Sequence, residues 1–355
     1  MEQRTHPNPR KPGTQPSQSF ISSQTVISFS FLARTVNHRI EMTHNFSSTG
    51  NQTPFSFVGL LALADVNTVA QHTALYGTSK WLDILILCPG LHRQHKATQL
   101  SSGEFPACAA MTTGYVFRVE NPATVFYLQS ISETGKLTNI SVSQADTNPS
   151  RAAYFVNLAA GSSVVALALL ASLSDWWALS YLTALILVRC ISTAIIRAQA
   201  RVDWHGQSEP GQLGDLFILL SYDRWVRIRG EVDDLKAVTS GRWLRRPTTL
   251  EGVTSGCATL LAYSAPALAA NTTLEGQIVI AILLLGNFAA LAAANYSTTS
   301  MHMKGKLLQL SGSRKAYKRR SVLADELMAE SGRKDWAIAM GLIPSESHSQ
   351  VSVIM

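Results

Sequence analysis

Apolar residues along this chain are concentrated rather than dispersed. Four windows of about twenty residues, at 152–172, 176–196, 252–270 and 277–295, are almost free of charge, and a hydrocarbon core of about 30 Å demands helices of that length. Leu173, Ser174 and Asp175 alone separate the first two windows, and residues 271–275 join the second two, so each pair must turn back on itself. Trp176 and Trp177 stand where indoles favour the headgroup boundary. The pattern predicts an α-helical membrane protein: four transmembrane helices in two hairpins, at 151–197 and 251–296, with a small cytosolic α+β part.

Orientation follows from the basic residues. The two short connections hold no Lys or Arg, whereas Arg151, Arg197, Arg201, Arg242, Arg245, Arg246, Lys304 and Lys306 flank the opposite helix ends. The positive-inside rule therefore puts the N-terminus, the central segment and the C-terminus in the cytosol. Residues 55–76 compete as a fifth span. Asp65 and His72 oppose this, since an Asp near a helix centre costs about 2.5–3.5 kcal/mol and each Leu or Val returns only about 0.3–0.6. The segment is expected to be a buried or interfacial helix; were it to span, Asn45 and Asn51, both in N-x-Ser/Thr sequons, would lie outside and accept glycans.

The remaining chain divides into polar and mixed segments. Residues 1–52 are rich in Pro, Ser and Gln and read as a disordered lead-in without a secretory signal, with Met42 as an alternative start. In the 53–150 region GYVFRVE and TVFYLQSIS read as strands divided by a turn at Asn121-Pro122, and the 198–250 segment, with its apolar run from Leu216 to Leu220, as strands completing the same domain. The 297–355 tail holds Arg314, Lys315, Lys318, Arg319 and Arg320, then an amphipathic helix from Ser321 to Gly332 and an apolar docking piece around Trp336, Ile338 and Met340. Those five cations form either an ordinary cytosolic flank or a contact for anionic lipid headgroups. With 30 basic against 23 acidic side chains the net charge is +7; basic flanks of a membrane protein explain it without nucleic acid as a partner.

Few constellations suggest chemistry. Arg189 is the one charge inside a window, about two turns from the cytosolic end, so it either snorkels to the headgroups or contacts substrate or lipid. Gly252 and Gly256, facing Gly286, Ala290 and Ala294, form small-residue stripes expected to pack the third helix on the fourth, with a homodimer through the same faces as the alternative; Asn287 adds an interhelical hydrogen bond. His92 and His95 read as loop histidines without a third metal ligand, Gly206, Gly211 and Gly214 make no phosphate loop, and Asp233-Asp234 reads as a solvated charge cluster beside Arg229 and Lys236. Cys88, Cys108, Cys190 and Cys257 are scattered singly and are expected to be reduced. No catalytic group, cofactor site or metal set emerges.

The run WHGQSEPGQLGDLFILLSYDRWVRIRGEVDDLKAVTSGRWL, with RKAYKRRSVLADELMAESGRKDWAIAMG, resembles a group of uncharacterised multi-pass membrane proteins of filamentous fungi. The resemblance implies a shared membrane architecture and no activity. The expected function is membrane anchoring of a cytosolic interaction or scaffolding domain, with the bilayer as partner; a transporter component or a lipid-acting membrane enzyme is the alternative.

Overall fold

The computed structural model describes residues 57–145, 151–200 and 207–344. The lead-in, both sequons, Met42, Arg201 and Gly206 lie outside these residues.

Eight strands make one mixed sheet. β1 (Ala107–Ala110) pairs with β2 (Val116–Arg118) and β4 (Leu213–Leu220); β5 (Arg224–Glu231) joins β4 to β3 (Lys136–Gln144); β7 (Lys306–Leu310) and β6 (Ser300–Met303) complete the order β2-β1-β4-β5-β3-β7-β6, and β8 (Lys315–Ala316) pairs with the start of β3. Only β3 and β5 run parallel. The central segment thus supplies the middle of the sheet beside strands of the N-terminal region, while β6, β7 and β8 come from the C-terminal tail, which the sequence reading had given no strands. Leu216 to Leu220 is continuously apolar because both sheet faces are covered. Leu216, Ile218, Val226 and Ile228 enter one core with Tyr127, Leu128 and Val238, while Phe217 and Trp225 enter another with Leu323, Leu327 and Trp336.

The helices on those faces include one correction. TVFYLQSIS is not a strand: it lies in α3 (Pro122–Ile131), because Pro122 occupies the first helical turn and the Asn121 side chain accepts the backbone N–H groups of Ala123 and Thr124 at 3.1 and 3.3 Å. That N-cap outweighs the β-propensity of Thr124, Val125 and Phe126. α3 and α6 (Val232–Thr239) cover the first face. The second is covered by α9 (Arg320–Ser331), ended by Gly332 in the left-handed region, and α10 (Asp335–Ala339), which buries Trp336.

Three further helices, α4 (Arg151–Ser172), α5 (Trp176–Gln199) and α8 (Leu274–Ser297), are long and apolar enough to cross a membrane. The chain is therefore not of a purely helical class, and four spans are not established by apolarity: α7 (Thr249–Ala269) has the length but falls short, diluted by Thr254, Ser255, Thr259, Tyr263 and Pro266. The three apolar helices expose Leu158, Val165, Leu169, Leu187, Ile278 and Ile282 outward and bury Ala159, Leu182, Leu185, Leu284 and Leu291. Large apolar side chains on the outer face are an inversion of the soluble pattern.

The helices do not pack as two self-contained hairpins. α8 lies along α4, and α7 along α5. Asn287 bridges α8 to α4, donating to Ser163 at 3.1 Å and accepting from Ser162 at 2.7 Å. The expected stripe packing of the third helix on the fourth is overturned: a Cβ on Gly252, Gly256 or Gly286 would meet nothing within 4 Å, while Ala290 and Ala294 pack in the core beside α4. The physical reason is a wedge. Residues 55–76 were expected as one helix, but the described part forms two short ones, α1 (Phe57–Leu61) and α2 (Thr68–Tyr76), and α1 contacts both α7 and α8. Gly59 permits this, since a Cβ there would stand 2.8 Å from Pro266 Cα.

Depth along the bundle follows from these contacts. Gly59 sits near the C-terminal end of α7 and accepts from Tyr181 near the start of α5, whereas α2 lies at the sheet end of α8, where Asn295 donates to the Thr68 carbonyl at 2.9 Å and meets His72 at 3.2 Å. Beyond α2 the chain re-enters. A 3-10 segment, Trp81–Leu85, packs on α4 and α5, Pro89-Gly90 turns back beside Ala62 and Val66, and a second 3-10 segment, Leu91–Gln99, returns along α5 and α7. Gly90, at φ +79°, stands against the Val66 carbonyl where no Cβ fits.

Candidate functional site

At the centre of the re-entrant segment lies Arg189, only 1% exposed. It does not snorkel: its Nε donates to the Asp83 carbonyl at 3.1 Å and its Nη1 to Gln94 Oε1. The helical geometry of α5 aims this side chain into the bundle, where the two 3-10 segments bring acceptors that water would otherwise supply. Gln94 in turn donates to Thr73 Oγ1 at 3.1 Å and to Ser79 Oγ. The Asp83 carboxylate is itself buried, with one oxygen accepting the Lys80 N–H at 2.8 Å and the other without a hydrogen bond. Arg197, in the last turn of α5, donates to the Ser79 carbonyl at 2.9 Å and lies 4.8 Å over the Trp81 ring. This network fastens the re-entrant segment to α5 and encloses its own charge.

His72 and Cys88 are buried beside this network. Among the described residues no group of three His, Cys, Asp or Glu is placed to hold a metal. Asp83, Gln94, Ser79 and Thr73 escape sequence inspection because nothing in their local pattern marks them as partners of Arg189; the signal available was the apolar run DILILCPG, which ends in a turn yet is buried from Ile86 to Gly90.

A second site lies where these elements reach the sheet end. The seam of α5 and α7 forms the floor of a groove of about 760 Å³, the second 3-10 segment one wall, and the 242–247 loop its rim. Arg245 makes a bidentate pair with Glu251 at 2.5 and 2.8 Å, which leaves its charge neutralised. Arg242 and Arg246 on the rim are exposed, and no side-chain partner is found for either among the described residues. His95, kept below its ordinary value by burial and by Lys96 and Arg93, faces the groove, as do Ile195, Leu244, Gly252 and Ser255. Sequence inspection read Arg242, Arg245 and Arg246 as a flank alone and Gly252 as packing surface; the groove wall explains why that stretch of α7 is small and polar.

The other expected residues are placed apart. Arg314, Lys315 and Arg320 pair with Glu133, Glu326 and Asp223 of the sheet domain, beside Lys318 and Arg319, which are exposed. β8 pairs at the start of β3, about 26 Å along that strand from Gln144, where the chain turns toward α4. The five cations therefore stand far from the helix ends. His92 is half-buried, 5.5 Å from the Tyr263 ring, His95 is exposed, and Asp233 bonds Ser208 and the Glu209 N–H while Asp234 pairs with Lys306. All four cysteines are free. Comparison of the chain with protein-family models, with curated proteins and with solved structures gives no match.

Proposed function

We propose that this chain is a multi-pass integral membrane protein that holds its sheet domain on the cytosolic face of a bilayer as an interaction or scaffolding surface. The observation that carries this reading is the outward row of large apolar side chains on α4, α5 and α8, which only hydrocarbon would cover favourably. α7 joins them as a fourth span because it is paired along α5 with its groove face turned to the interface. The closed contacts of Arg189 support an anchoring bundle rather than a pathway. Basic residues at the sheet end, against none in the 173–175 and 270–273 turns, favour the sheet and C-terminus in the cytosol.

For the N-terminal side we infer the reverse of the sequence expectation, with residues 57–76 as an additional crossing. α1 lies at the helix ends remote from the sheet, which favours exit of the preceding chain on the opposite face. Translation into microsomes tests both parts. Resistance to alkaline extraction, a C-terminal tag accessible to protease from outside, and glycans on Asn45 or Asn51 are expected. Release by alkali would end the membrane reading, and unmodified sequons would restore a cytosolic N-terminus. Proximity labelling from the C-terminus must then recover specific cytosolic partners, and an empty result counts against scaffolding.

A further inference from the structure

The groove between α5, α7 and the re-entrant segment has the build of a ligand site that the anchoring role does not use. Its volume of about 760 Å³ falls in the range of pockets that bury a small amphipathic molecule. Its two ends differ in chemistry. On the cytosolic rim Arg242 and Arg246 are exposed and without described side-chain partners, so their guanidinium groups are available to a planar or tetrahedral anion. Arg245 is spent on Glu251 and contributes position rather than charge. Toward the bundle the lining turns to Ile195, Gly252 and Ser255, and α7 continues with Gly256, where nothing stands within 4 Å of an added Cβ. Two exposed arginines and an open, outward-facing track of small residues on α7, along which a chain could run into surrounding hydrocarbon, meet at one cavity, at the level where the long helices reach the cytosolic side.

We propose that this groove binds the phosphate head of an anionic phospholipid of the cytosolic leaflet, with Arg242 and Arg246 on the phosphate and the acyl chain leaving along Gly252, Ser255 and Gly256 of α7. Glu120 also lines the groove and disfavours a head that carries further negative charge close to it, so a singly or doubly charged phosphate fits better than a polyphosphate. The inference rests on the membrane reading. That reading is tested by alkaline extraction, which is independent of the groove.

The full chain, purified in neutral detergent and placed in phosphatidylcholine nanodiscs, is titrated with phosphatidic acid and, in parallel, with soluble glycerol phosphate, reading bound lipid by native mass spectrometry. Saturable retention of phosphatidic acid over phosphatidylcholine is expected, with little binding of glycerol phosphate. At about fivefold for each cation near a membrane surface, the Arg242→Ala/Arg246→Ala double variant loses roughly thirtyfold in affinity. Both side chains are exposed, so its melting temperature should match the parent. Ser255→Trp, which fills the groove without touching the charges, must also abolish retention, and Lys318→Ala/Arg319→Ala on the distant patch must leave it unchanged. Equal binding of glycerol phosphate, retention that survives Ser255→Trp, or an unaltered affinity in the double arginine variant would each overturn the proposal.

Discussion

Arg189 in the helical bundle and Arg227 in the sheet domain are both buried guanidiniums, and they are satisfied in opposite ways. Arg227 meets two carboxylates: Asp215 takes its Nε and Nη2 at 2.9 and 2.6 Å, and Glu330 of α9 takes Nη1 at 2.5 Å. Arg189 instead donates to a carbonyl and an amide, both neutral, while the nearby Asp83 carboxylate acts through its field. Where water is close, full ion pairing is affordable because the partners stay partly solvated. Deep in the bundle, neutral acceptors spread over a re-entrant segment satisfy the geometry of the guanidinium, and one carboxylate balances its charge. The sheet uses its arginine to clamp a tail; the bundle uses its own to clamp an insertion.

The largest test of this contrast is Arg189→Ala. It leaves Asp83 buried without compensation, and a loss of about 3–5 kcal/mol is expected in detergent unfolding, with the re-entrant segment exposed to proteolysis. Adding Asp83→Asn should recover a substantial part; a double variant as unstable as the single one would show that Asp83 does not balance the charge. Arg227→Ala should cost about 2 kcal/mol, discounted because Glu330 is partly solvated. Hydrogen exchange should place that loss in α9 and α10 and leave the bundle untouched.

A smaller effect comes from the hairpin turns. Asp175 caps α5 by accepting the Ala178 N–H at 2.9 Å, and also accepts from the Thr273 N–H and hydroxyl at 2.9 and 2.7 Å, tying the two hairpin turns together. Burial alone would raise its carboxyl, but these hydrogen bonds outweigh it and hold it below the usual range. The stabilisation is therefore present above the ordinary carboxylate value and lost as pH falls through the depressed one. Asp175→Ala should cost about 1–2 kcal/mol at neutral pH and flatten that acid limb.

What could be read from the sequence divides along physical lines. Long apolar windows are additive properties of neighbours, so α4, α5 and α8 were visible, as were the α9 stop at Gly332 and the apolar docking of Trp336. The α3 helix was misread because Asn121-Pro122 serves both as a turn and as a helix start, and local β-propensity pointed the wrong way. The stripe at Gly252 and Gly256 was legible as small residues but not as a groove, since the packing partner of a helix is a long-range fact. Arg189 stood out in the sequence as the one charge in an apolar window, but not its role: its acceptors come from Asp83 and Gln94, about a hundred positions away, where nothing in the local pattern marks burial.

The turn at Pro89-Gly90 has a consequence for biogenesis. Chains emerge from the ribosome N-terminus first, so the 81–99 segment is made before α5, which supplies Arg189, and long before α7 and α8. Its 3-10 backbone has too few internal hydrogen bonds to enter hydrocarbon alone. In a membrane-spanning bundle it would therefore wait at the bilayer surface and be drawn in only as the later helices close around it, which would make the last helices synthesised responsible for completing a structure begun earlier.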